Sequence, residues 1–117
     1  MKSGVSMIKV EDVIGGIKLT ASMLVMENAI IAFFWDGDKM RLGTLSVAIP
    51  GGVSSTILGE RDSVFGRIIA ENFAERVGKV ALVSVNLRSL SVDRAGRAII
   101  RLATTLIKRY TDAGGGS

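Results

Sequence analysis

Apolar and polar residues alternate from Ile17 to Met26, with Ile17, Leu19, Ala21, Met23 and Val25 on one side and Lys18, Thr20 and Ser22 on the other. That period of two predicts a half-buried strand. Ahead of Gly15-Gly16, residues 5–13 (VSMIKVEDV) mix apolar and charged positions, as fits an edge strand. After a turn at Glu27-Asn28, the run Ala29 to Trp35 (AIIAFFW) is apolar throughout and predicts a central strand covered on both faces. Asp36-Gly37 then supplies a tight hairpin. Met40 to Ile49 alternates again, Leu45, Val47 and Ile49 opposite Thr44, Ser46 and Ala48, so the segments together predict an antiparallel meander.

Pro50-Gly51-Gly52 stops that meander, because proline cannot donate to a ladder and the glycines permit a sharp change of direction. Val53 to Leu58 follows as an uncharged loop or short strand. A helix starts near Asp62 or Ser63, either of which is able to accept free backbone N–H groups, and stops at Gly78. Phe65, Ile69, Phe73 and Val77 fall on one of its faces, with Arg67, Glu71 and Glu75 opposite. Val80 to Leu87 (VALVSVNL) is apolar on both faces and predicts another interior strand, with Asn86 a hydrogen-bonded strand end.

A last helix is expected from about Val92 to Tyr110, its apolar positions covering roughly 160° of arc, wider than one packing surface requires. Within that arc Gly96, Ile100, Ala103 and Ile107 form a ridge with two small residues, a candidate dimer contact; the alternative is a helix sunk into its own monomer. On the other side Arg94, Arg97, Arg101 and Lys108 gather within roughly 60° of arc, either a solvated face or a dock for an acidic protein surface. No aromatic residue is interleaved with them, which argues against a single-stranded nucleic-acid groove.

Composition narrows the chemistry. The 117 residues are 48% hydrophobic and 22% charged, a balance that suits one packed core and predicts a single α+β domain over residues 1–112. Gly114-Gly115-Gly116-Ser117 gives residues 113–117 the composition of a flexible linker tail. With no cysteine and no histidine there is no thiolate, no cysteine zinc site and no imidazole base, so neither a cofactor, a metal nor an enzymatic activity is expected. The glycines around residue 52 lack a P-loop lysine, and Asp36 with Asp38 belongs to the expected hairpin tip. Ser54, Ser55 and Thr56 bring hydroxyls without an evident base, and their loop is a candidate partner-binding surface; an enzyme would instead need an enclosed polar pocket between Ser54 and Asp62. Trp35, at the end of its apolar strand, is expected in the core or at an interface. The net charge of +4 fits an acidic partner or a solvated surface, and the most apolar span, Leu19 to Trp35, is interrupted by Glu27 and Asn28. A cytoplasmic protein without a membrane segment is the expectation.

Taken in order, a bulky apolar strand, a hairpin, a strand reading LGTLSVAIP, an STILG segment, a helix, KVALVSVNLRS and a final helix resemble the small proteasome assembly chaperones of the subunit-three and subunit-four type. The likeness runs from Lys18 to Tyr110 and is closest at Ser55 to Gly59, at Val83 to Leu87 and, for the subunit-three type, at Leu42 to Leu45. It rests on packing and turn patterns and not on a catalytic signature. The resemblance implies a non-enzymatic dimeric chaperone that binds proteasome α-type subunits during α-ring assembly. Glutamine is absent, which suits an archaeal relative working as a homodimer. The alternative is a dimeric longin-like or roadblock-like scaffold for a small GTPase. The expected architecture is an antiparallel sheet of about six strands with two main helices, in the order β-β-β-β-(β)-α-β-α.

Overall fold

In the computed structural model, which describes residues 6–114, β1 (Ser6–Ile14) and β2 (Ile17–Val25) pair antiparallel around the Gly15-Gly16 turn. β2 pairs antiparallel with β3 (Ala29–Asp36). The neighbour of β3 on its other side is not the next strand in sequence. It is β6 (Val80–Asn86), which lies parallel to β3 with Ala32 opposite Val83 and Trp35 opposite Asn86. β4 (Thr44–Ile49) pairs antiparallel with the far side of β6, and β5 (Val53–Leu58) forms the outer edge. The sheet order is therefore β1-β2-β3-β6-β4-β5.

An α+β fold with a mostly antiparallel six-stranded sheet is what the hydrophobic pattern implied, and Val53–Leu58 is a strand and not a loop. The meander is not: Asp36-Gly37 does not close a hairpin between neighbours, because β6 occupies the slot between β3 and β4. Residues 37–43 must cross the end of β6 before β4 begins, which is why β4 starts at Thr44 and not at Met40. Gly43 makes that crossing possible. A Cβ there would sit 2.0 Å from the Val85 carbonyl oxygen, and its N–H donates to Ser84 Oγ at 2.9 Å.

Helices α1 (Ser63–Val77) and α2 (Val92–Asp112) lie side by side on one face of the sheet, α1 over β4, β5 and β6 and α2 over β1 and β2. The core forms between them and the inward rows of the strands. Leu19, Ala21, Met23, Ile30, Phe34 and Val83 meet Ile69, Phe73, Ile99 and Leu106, all buried. The Phe34 and Phe73 rings stack with centroids 6.3 Å apart, locking β3 beneath α1. Gly78, in the left-handed region with its N–H on the Ala74 carbonyl, ends α1 as the sequence suggested. Asp62 precedes the helix but caps nothing with its side chain; its own φ is +61° and its carboxylate lies 3.7 Å from Arg61. Ser91 Oγ accepts from the Arg94 N–H at the start of α2, which runs two residues beyond Tyr110. The linker-like tail expected over residues 113–117 lies outside the described residues beyond Gly114.

Asp36 departs furthest from expectation. It is only 6% exposed, and its carboxylate accepts the backbone N–H groups of Arg88, Ser89 and Leu90 at 2.7–2.8 Å. Burial alone would raise its pKa, but the backbone N–H donors outweigh that and hold it below the usual carboxylate range. Because the folded value is the lower one, the contribution is complete above the unfolded pKa and is lost as pH falls through the folded one. Asp36→Ala is expected to cost about 3 kcal/mol in urea unfolding at pH 7. The difference from the parent should shrink below about pH 4; a constant difference down to pH 2 would show that the carboxylate charge is not what matters.

Candidate interaction site

Strand periodicity divides every strand of this sheet into an inward and an outward row, and both helices take the inward one. The outward face has no helix. One row crosses the whole sheet through paired residues, Met7, Leu24, Ile31, Leu82, Val47 and Ser55, and a second contains Phe33, Ser84 and Leu45. Leu24, Ile31, Phe33, Leu82, Leu45 and Val47 are half-buried by strand neighbours alone, while Met7, Ile49 and Val53 are exposed. Six strands at about 4.8 Å spacing and seven residues of about 3.3 Å rise give a face of roughly 650 Å² in projection. Its apolar part is the middle, around Leu24, Ile31, Phe33, Leu82, Leu45 and Val47, and Lys9, Glu11, Ser22, Ser84 and Ser55 share the same face.

The expectation that AIIAFFW and VALVSVNL are covered on both faces is corrected here: each is covered by helices on one face only. The apolar outward residues were visible in the sequence, but a run of unbroken hydrophobicity does not say whether its second cover belongs to the same chain. Polar residues gather at the opposite end of this face, where Thr20, Trp35 and Asn86 stand in register. Trp35 is 6% exposed there, outside the main core cluster.

The residues singled out in the last helix are distributed differently. Ala103 and Ile107 are buried within the chain, and Gly96 lies against Phe65 of α1, where a Cβ would be 3.7 Å from the ring. Ile100 is exposed, beside Ile68 of α1 in a shallow groove of about 270 Å³. Along the basic stripe, Arg101 donates to Asp12 of β1 at 3.0 Å and Lys108 reaches Asp112 at 3.3 Å. Arg94 sits over the Gly15 turn, and Arg97 is exposed. On β5, the Ser54 hydroxyl donates to the Glu71 carboxylate and Thr56 also faces the helices, whereas Ser55 points to the open face.

A second feature, which no sequence motif announced, lies where the chain crosses the end of β6. Residues 37–43, 59–62 and 87–91 converge there around an open cleft of about 600 Å³ that contains Arg41, Arg61 and Arg88, one from each segment. Gly59, at φ +84°, lets the second segment approach to a distance at which a Cβ would lie 2.8 Å from Thr44 Oγ1. Asn86 also lines the cleft, and its side-chain oxygen is buried without a hydrogen-bond partner, so the bonded strand end expected there is not found for that atom. Within Ser54 to Asp62, where an enzyme reading expects a pocket, Gly59, Glu60, Arg61 and Asp62 line this open cleft. No described helix is long and apolar enough to cross a membrane.

No protein-family model matches this sequence, and no curated protein matches it. Among solved structures, a chain in the crystal structure of a chaperone complex for yeast 20S proteasome assembly is similar to it, with a TM-score of 0.69 over 93% of this chain and 97% of that one. Identity is 14%, so the likeness is one of fold.

The ion pair at the sheet edge gives a direct check on the helix stripe. The Asp12 carboxyl is held below the usual range first by the hydrogen bond from Arg101, then by the Val13 N–H. In Arg101→Ala the Asp12 carboxyl resonance is expected to titrate at a higher pH by NMR, with the fold unchanged; an unmoved titration would show that the pair does not persist in solution.

Proposed function

We propose that this chain is a non-enzymatic assembly chaperone that works as a homodimer and holds a proteasome α-type subunit during α-ring assembly. The observation that carries this reading is the fold shared along nearly the whole of both chains with a member of the yeast assembly complex. It agrees with the order of strand, turn and helix patterns from Lys18 to Tyr110. The archaeal, cytoplasmic setting belongs to the same proposal. The chemistry is compatible: without histidine or cysteine, binding is the natural use of the surfaces the fold presents.

Of the two apolar surfaces, the groove at Ile100 and the open sheet face, the second is the broader and is the proposed homodimer contact. Two such faces stacked at about 10 Å would cover the apolar rows on both copies. Each partner of an ordinary stable interface buries about 800 Å² of accessible surface, and a pleated face of this projected size is of that order. The Arg94, Arg97, Arg101 and Lys108 stripe stays available in this reading for a protein partner, whereas Ser55 falls under the dimer contact and Ser54 and Thr56 face the helices.

Leu82 sits at the centre of the open face and is half-buried within its own chain. Leu82→Asp is expected to convert a dimer of the parent chain to a folded monomer in size exclusion with light scattering at micromolar concentration. A parent chain that is already monomeric would remove the dimer from the proposal.

Affinity capture from the native source, followed by mass spectrometry, tests the partner. Proteasome α subunits are expected in the eluate. Recovery of a small GTPase instead would favour the longin-like or roadblock-like scaffold.

A further inference from the structure

The cleft at the end of β6 is built where the strand order reverses. β3 leads to β4 on one side of β6 while β2 lies on the other, and crevices beyond the carboxyl ends of parallel strands at such points are common ligand sites. Three segments meet there, and each contributes an arginine. Arg61 is partly neutralised by Asp62 at 3.7 Å, but Arg41 and Arg88 have no acidic side chain within ion-pair distance among the described residues.

We infer that this cleft binds an extended peptide segment of a partner protein through a carboxylate held between Arg41 and Arg88. The guanidinium fork matches a carboxylate in geometry and charge. The remaining lining selects a peptide over a free phosphate. Glu60 and Asp62 stand in the same cleft and would repel a polyanion, yet Glu60 offers an acceptor to backbone N–H groups. Exposed Leu42 at the rim gives an apolar neighbour for a side chain flanking the carboxylate. The inference does not require the partner to be a proteasome subunit, and a peptide assay separates the two.

The test is fluorescence anisotropy of the full chain with a short fluorophore-labelled peptide that carries a single glutamate flanked by leucine and serine. Saturable binding that weakens with salt is expected, and Arg41→Ala/Arg88→Ala should weaken it at least about tenfold. Arg41→Lys/Arg88→Lys keeps the charge but not the fork and is expected to fall in between. Arg76→Ala/Arg109→Ala, exposed at the far ends of the two helices, should leave binding unchanged. The inference is overturned by absence of binding, by equal binding of the same peptide with lysine in place of the glutamate, by an equal loss in the Arg76/Arg109 variant, or by inorganic phosphate or triphosphate displacing the peptide at low concentration.

Discussion

The placement of β6 between β3 and β4 is the constraint from which most of the molecule follows. A parallel neighbour for β3 has to arrive by a crossover, and the chain supplies one by building β4, β5 and α1 before returning to the centre of the sheet. The route from β3 to β4 must then pass over the vacant slot that β6 later fills. Gly43 is required because the chain passes so close to the Val85 carbonyl that no side chain fits. Asp36 closes the same junction from the other side. Placed at the end of β3, it gathers three successive N–H groups from the segment that leaves β6, so the central pair of strands and the entry to α2 are held by one carboxylate. Its burial is tolerable because every bond it accepts is charge-assisted.

Local periodicity made most elements legible. The alternation in β2 and β4, the turn glycines, the glycine stop of α1 and the apolar stripe of α2 each correspond to an observed element within a few residues, since each is decided by near neighbours. Strand order is decided elsewhere. An Asp-Gly pair after an apolar strand suits a hairpin, and nothing within a few residues of Asp36 reveals that its partners lie at Arg88 to Leu90. The cleft was invisible for the same reason: Arg41, Arg61 and Arg88 are separate charges along the chain and become neighbours only through the crossover. The hydroxyls of Ser54, Ser55 and Thr56 looked alike in sequence, yet strand alternation sends the outer two toward the helices and the middle one to the open face.

The open face shows what a hydrophobic run does and does not encode. In β3 the inward residues Ile30, Ala32 and Phe34 are fully buried beneath the helices, while the outward Ile31 and Phe33 are only half-buried. The sequence spends bulky apolar residues equally on both rows. For a single copy in water the outward row is costly, at about 25 cal/mol for each Å² of apolar area left exposed. Evenly apolar central strands with helices on one side only are thus what a protein built to have its second layer supplied in trans would carry. The edges agree with this: β1 carries Lys9 and Glu11 on its outward row, charges that discourage edge pairing and leave the middle of the face as the apolar part.

Chemistry is also divided across the molecule. The apolar rows lie toward one end of the open face, and the register Thr20, Trp35 and Asn86 separates them from the arginine-bearing segments at the other. A second copy stacked over Leu82 and Ile31 would cover the apolar rows without needing to place any charge in a dry interface, where an unpaired arginine would be expensive. The same stacking would leave the cleft at the rim, where guanidinium groups keep their water until a carboxylate replaces it. Asn86 stands at the boundary, its backbone in the central strand and its side-chain oxygen buried at the cleft. The rigidity that Asp36 gives to the end of β3 is what holds Arg88 at the mouth of the cleft, because the Asp36 carboxylate grips the Arg88 backbone itself.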